Sequence, residues 1–251
     1  NTYFSLIWTF FISSLGWMVL GLIGWYLLQN KPGPPLKKPI DYITISWIKL
    51  YGTLKEGRKH SNVLILFMGW FFLLDSVSMM AIMVKLIGKV QVGLHAADFL
   101  LMACLTSPLE VVGIVFYNFI QKKLKFNSKQ MILVHTVYFL IFPIYCFIGN
   151  FWGVGLTSKW EVYLFKLLLI LPFSHLASVQ RVLLSNFIPI GRETEFFSLN
   201  QVFGRGTAWI GPLLVGAMET YAGDIRLGFI FPIVFMLIGF GFFWFIDVEH
   251  G

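Results

Sequence analysis

Polar residues along this chain come mostly in short groups between long apolar runs. Seven runs are each long enough to cross about 30 Å of hydrocarbon at roughly 20 residues per helical span. They cover Thr2–Leu28, Asn62–Val84, Ala96–Phe119, Met131–Asn150, Val162–Leu184, Leu199–Tyr221 and Leu227–Ile246. Most are apolar all round, whereas a helix on a soluble core keeps one polar face. The pattern therefore predicts an all-α, polytopic membrane protein. Gln29–Lys38 (QNKPGPPLKK) ends the first run, because its prolines cannot continue a helix. Residues 40–59 interleave Ile43, Ile45, Trp47, Ile48, Leu50, Tyr51 and Leu54 with Lys49, Lys55, Arg58 and Lys59. That reads as an interfacial helix on an anionic membrane surface, or more plainly as a solvated linker.

Composition points the same way. Hydrophobic residues make up 57% and charged residues 12%, with 27 Phe and 9 Trp, and the mean hydropathy is +0.77. The net charge of +7 is spread between apolar runs instead of forming one basic face, so no nucleic-acid partner is expected. The lipid bilayer is the expected partner. Cys104 and Cys146 fall inside apolar runs and read as small buried hydrophobes. The basic residues sort by side. Lys31, Lys37, Lys38, Lys49, Lys55, Arg58, Lys59, Lys122, Lys123, Lys125 and Lys129 share one side, with Arg181, Arg192 and Arg205 on or near it. Lys85, Lys89, Lys159 and Arg226 hold the other, and Lys166 falls within a run. The positive-inside rule makes the richer side cytoplasmic. The chain opens at Asn1, inside an apolar run too long for a signal-peptide core. The expectation is a piece of a longer protein.

Ionisable groups at membrane depth are costly and suggest function. Asp75 lies mid-run in FFLLDSVSMM, on a helical face with Ser78 and Met79. Glu110 shares a side with Ala103, Thr106, Ser107, Gly113 and Tyr117. In the fifth run Lys166, Ser174, Gln180 and Arg181 form a stripe, with Ser178 at its edge and His175 pointing the other way. Such a stripe faces protein or a water-filled cavity. Pro172 predicts a kink there. The plainer reading of each group is helix packing. Gly204, Ala208, Pro212 and Gly216 recur every four residues, a seam for close helix approach. The five histidines are scattered. Only His95 has a carboxylate one turn on, Asp98, too few ligands for a metal. Phosphate-loop, dinucleotide, GxSxG and HExxH motifs are absent. No enzyme activity, cofactor or metal is expected.

The run Pro189-Ile190-Gly191-Arg192-Glu193-Thr194-Glu195-Phe196-Phe197, followed by Gly204-Arg205 and Trp209-Ile210-Gly211-Pro212-Leu213-Leu214, resembles the signature of the autophagy-related vacuolar amino-acid effluxers. These form a branch of the major facilitator superfamily. Weaker similarities lie at Lys31–Leu36, Thr53–Glu56, Phe71–Asp75 and Gly223–Phe229, in the expected order. Ser76 and Ile190 stand where relatives commonly have glycine and lysine.

The resemblance implies the family's sixth to twelfth helices. Residues 1–29 would be a transmembrane helix and 30–61 a cytoplasmic linker with the interfacial helix. Residues 62–246 would be a six-helix C-terminal bundle, and 247–251 a cytoplasmic tail. It also implies two bundles rocking about a central site lined by the seventh and tenth helices. A small solute such as an amino acid, with protons conceivable as co-substrate, would pass Asp75, Ser78, Glu110, Lys166, Ser174, Ser178 and Gln180. Arg192, Glu193, Glu195 and Arg205 would form a cytoplasmic gate, and a missing N-terminal half would complete the path across a vacuolar or lysosomal membrane. The alternatives are a non-transporting anchoring subunit built on the same fold and a half-transporter that pairs with another half.

Overall fold

Long apolar runs become long helices because a backbone in hydrocarbon must satisfy its own hydrogen bonds. A computed structural model of the chain describes residues 2–27, 52, 61–153, 155–189, 191–205, 209–222 and 225–247. The predicted interfacial helix and the proline-rich break lie outside these residues, apart from Gly52. The chain divides into two units, residues 1–48 and 49–251. The described part of the first is helix α1 (Thr2–Leu27), which carries a T-shaped Trp8–Phe11 pair.

The second unit is all-helical among the described residues. Its helices are α2 (Ser61–Val90), α3 (Ala96–Leu124), α4 (Ser128–Trp152), α5 (Lys159–Ile170), α6 (Phe173–Phe187), α7 (Glu193–Arg205), α8 (Ile210–Ala222) and α9 (Ile230–Trp244). A 3-10 turn, Ile225–Phe229, leads into α9. Among the described residues, five segments are long and apolar enough to cross a membrane: α2, α3, α4, α5 with α6, and the 3-10 turn with α9. The run expected as one sixth span, Leu199–Tyr221, falls on α7 and α8. Each has 13 residues, about 20 Å of helix at 1.5 Å per residue and short of the ~30 Å core.

Helix ends follow local chemistry. The Asn127 side chain accepts from the Gln130 amide while the Asn127 amide donates to the Gln130 side chain, opening α4 with a capping box. Glu161 accepts from the Thr157 and Ser158 amides at the start of α5. Lys125 and Gly153 turn the chain after α3 and α4 with positive φ. At one end of the bundle Lys129 donates to the Trp244 and Ile246 carbonyls, and Asn62 donates to that of Asp247. At the other, Arg226 donates to Gln91 and Tyr163 donates to Asp98. These ties make α2 and α4 both antiparallel to α9.

The most enclosed helix is α2. Leu66, Trp70, Leu73, Val77, Met80, Val84 and Ile87 repeat at helical spacing and are buried, and the helix packs on α7, α8 and α9. Close approach to α9 depends on glycine. A Cβ at Gly239 would stand 3.2 Å from the Gly69 carbonyl, and one at Gly69 would stand 3.1 Å from the Phe243 ring. Leu100, Leu101, Val111, Val115 and Phe119 on α3 face outward, as a lipid-facing surface requires.

Candidate functional site

Of the polar stripe of the fifth run, Lys166 falls on α5, while Ser174, Gln180 and Arg181, with Ser178 at the edge, lie on α6. Together with Asn200, Gln201, Gly204 and Arg205 of α7 these α6 residues line an amide chamber of about 370 Å³, closed by Trp70 and Leu74 of α2. Gln180 and Asn200 are buried here and clasp each other. The Gln180 amide donates to Asn200 Oδ1 at 2.9 Å, and Asn200 donates back at 3.5 Å. Each thus satisfies groups that would be costly to bury alone.

A second cavity of about 520 Å³ is lined by Lys85 and Lys89 of α2, Ala103, Thr106 and Glu110 of α3, and Lys166 of α5, with Phe99, Met102 and Val162 as apolar wall. The two spaces are joined by one bond. Ser174 Oγ, lining the amide chamber, donates to Glu110 Oε2, lining the lysine cavity, at 3.2 Å.

Beside that bond the helical run breaks at Leu171–Pro172, between α5 and α6, as Pro172 predicts. Proline has no amide hydrogen, so the carbonyl four residues back, Leu168, loses its helical donor. Tyr138 of α4 supplies one, its hydroxyl donating to Leu168 O at 3.0 Å. Three residues on, the Leu171 carbonyl lies against Gly113 of α3, where a Cβ would collide with it. The absence of a side chain at Gly113 is what brings α3 close enough for Glu110 to reach Ser174.

The predicted gate residues separate. Gly191, at φ +88°, turns the chain, and the Arg192 amide donates to the Pro189 carbonyl. Arg192 Nε and Nη2 both donate to Glu195 Oε2, at 3.0 and 2.7 Å. Glu193 Oε1 accepts from the Gly191 amide at 2.9 Å, and that bond holds its carboxyl below the usual carboxylate range. Both acids sit in the first turn of α7, at the positive end of its dipole. Arg205 closes the same helix at its other end, about 18 Å away along the axis, and lines the amide chamber.

Asp75 is buried in α2 and Ser78 is exposed. Asp75 lines neither cavity. Met79, one turn on, packs on α8, its Cγ 2.9 Å from where a Gly211 Cβ would stand. Gly204 lies against Leu74 and Trp70, but among the described residues nothing stands within 4 Å of a Cβ at Gly216, and Pro212 is exposed. Ala208 is outside the described residues. The close contacts of α7 and α8 with α2 therefore fall at Gly204 and Gly211, where the fourfold spacing predicts Gly204 and Gly216.

A family model described as "Vacuole effluxer Atg22 like" matches residues 1–251. The chain belongs to that family. It is 28% identical to Autophagy-related protein 22 of Kluyveromyces lactis over 213 residues, 84% of this chain and 43% of that protein. It is 26% identical to Autophagy-related protein 22 of Coccidioides immitis over 266 residues, all of this chain and 44% of that protein. The protein of that name from Gibberella zeae is 29% identical over 257 residues, 96% of this chain and 39% of its own. The chain thus spans less than half the length of these curated relatives. No solved structure matches it. Family and helices together make it a multi-pass membrane protein.

In this family member the fold assembles groups that spacing left apart. His135 Nε2 and His175 Nδ1 face each other at 2.9 Å, both rings fully buried, with Tyr117 edge-on to one and stacked on the other. The facing nitrogens share one proton, so the pair is a hydrogen bond and not a ligand set. His175 does point away from the stripe, but its partner is 40 residues distant, and no periodicity signals that. Asn200, Gln201, Lys85 and Lys89 were also unmarked as site residues, because each lines a cavity only once a second helix stands beside it. Among the described residues, no three His, Cys, Asp or Glu side chains gather as a metal site would require.

Proposed function

We propose that the protein carrying this chain is a secondary transporter of the major facilitator type, moving a small solute such as an amino acid out of a vacuolar or lysosomal lumen by alternating access. The chain supplies seven spans, the sixth to twelfth helices, with α7 and α8 together making the eleventh. A six-helix bundle follows one further helix. A second bundle, from the rest of the protein, completes the path. The observation that carries this reading is the Glu110–Ser174 bond, which links the lysine cavity to the amide chamber and makes one polar track from Lys166 to Gln180. A track of this kind through apolar helices is costly and marks a functional path, and the proline interruption at Leu171–Pro172 lies beside it. Ser174, Ser178 and Gln180 would contact the solute, with Asn200 and Arg205 facing them. Glu110 would bind the solute or carry a proton. Asp75 and Ser78 would act at the side of α2, where conformational change opens or closes packing on α8. The Arg192–Glu195 turn would set the balance of the two states.

The test is solute flux by the full-length protein in proteoliposomes, over a panel of amino acids. Glu110→Gln and Ser174→Ala are expected to lower flux about tenfold, the effect of losing a charge-assisted contact of about 1.5 kcal/mol. Ser185→Ala, on the exposed face of α6, should leave it unchanged. Equal flux in all three would remove the track from the mechanism.

A further inference from the structure

The end of the bundle where α2 stops and α5 begins is poor in basic residues, yet three of its lysines meet. Lys85 and Lys89 stand one helical turn apart on α2, and Lys166 reaches the same cavity from α5. Lysines near a membrane surface ordinarily snorkel singly to water. Here three lysines from two helices line one space, Lys85 and Lys89 exposed and Lys166 half-buried. Glu110 is the acid in its lining, so the walls carry three positive charges against one negative. Among the described residues none of the three lysines has a carboxylate within 4.0 Å, whereas Lys159, just outside, does reach Asp98. Ser174 already takes one Glu110 oxygen. Three like charges lining one cavity beside apolar Phe99, Met102 and Val162 repel one another, and the half-buried Lys166 is the least screened of them. Such an arrangement is favourable when a mobile anion neutralises it.

We propose that this lysine cavity is an anion-binding site, in which Lys85, Lys89 and Lys166 hold the carboxylate or phosphate group of a small ligand. Its volume, about 520 Å³, lies within the range of small-molecule pockets. Glu110, at the inner edge, repels the anion from going deeper and accepts a donor group if the ligand has one. The ligand therefore enters with its negative end toward the lysines. The anion has two possible sources, a soluble solute or the headgroup of an anionic lipid. Only the assignment to a solute on its way through the protein rests on the transport reading; binding itself does not.

The experiment is binding by the full-length protein, read without flux. Glutarate and inorganic phosphate are titrated at constant ionic strength in nanodiscs of zwitterionic lipid, with glutaramide as the uncharged control. Saturable binding of glutarate or phosphate, but not glutaramide, is expected. Lys85→Gln and Lys166→Gln should each weaken it about tenfold, the effect of losing one charge-assisted contact. Lys85→Arg should restore it, and Lys159→Gln should not change it. A second arm counts phosphatidylglycerol retained by the protein in mixed nanodiscs. If Lys85→Gln and Lys166→Gln reduce that count while glutarate never binds, the anion site stands and its ligand is a lipid headgroup. If neither soluble anions nor phosphatidylglycerol respond to Lys85 and Lys166, the site is overturned. Intact anion binding in Glu110→Gln or Ser174→Ala protein that has lost flux separates this site from the transport step.

Discussion

Gly113 is where a single missing atom group does most to shape the site. A side chain there would strike the Leu171 carbonyl, which belongs to a broken helix and has little room to move. Gly113→Leu is expected to destabilise the protein by about 1–3 kcal/mol, the usual cost of overpacking, and to lengthen the Glu110–Ser174 bond; thermal unfolding in detergent checks the first effect. The sequence places Gly113 beside Glu110 on one helical face, but its partner is set by tertiary packing. The histidines are a sharper case. Replacing either member of the buried His135–His175 pair by alanine strands the other's facing nitrogen, at about 1–3 kcal/mol beyond lost packing. The double alanine variant should therefore cost less than the sum of the singles, and a double-mutant cycle on unfolding midpoints measures the difference. Equal costs would mean that the 2.9 Å contact contributes nothing.

Helices show what spacing can and cannot predict. Runs such as Ala96–Phe119 and Met131–Asn150 lie within single helices, because apolar length and backbone self-satisfaction alone require it. The Pro172 break is equally local. Its repair is not, since the Tyr138 hydroxyl comes from 30 residues away to serve the Leu168 carbonyl. Tyr138→Phe should cost about 1 kcal/mol when Pro172 is present. It costs less after Pro172→Ala, which returns an amide hydrogen to Leu168. Unfolding of the two singles and the double tests this. The same outcome in both backgrounds would leave Tyr138 a packing residue. Along the run 199–221 the glycines that meet α2 are Gly204 and Gly211, a pairing set by the neighbouring helix and not by the fourfold repeat.

For the whole molecule, the polar turn before α7 bears on how two bundles would exchange states. Within the turn Arg192 donates to Glu195 and Glu193 accepts from the Gly191 amide. We therefore expect it to act by stiffening the connection from α6 to α7. A half-exposed pair of this kind is worth about 0–1 kcal/mol, enough to shift a two-state balance up to about fivefold. Arg192→Ala should accordingly change the labelling rate of a single cysteine placed in the amide chamber of the full-length protein by no more than that factor. A larger change would mean that the turn also contacts the other bundle. Acid offers a second handle. Because the Gly191 amide depresses the Glu193 carboxyl, the ionised form is favoured in the folded turn. Its stabilisation is complete above the ordinary glutamate range and fades as pH falls through the lowered value. Amide exchange at Gly191 should therefore rise in mild acid, relative to the amides of α7. In Glu193→Gln protein, where position 193 cannot titrate, the ratio should stay flat. A ratio that rises equally in both proteins would assign the loosening to Glu195 losing its charge against Arg192, and the connection would then depend on the ion pair more than on the backbone bond.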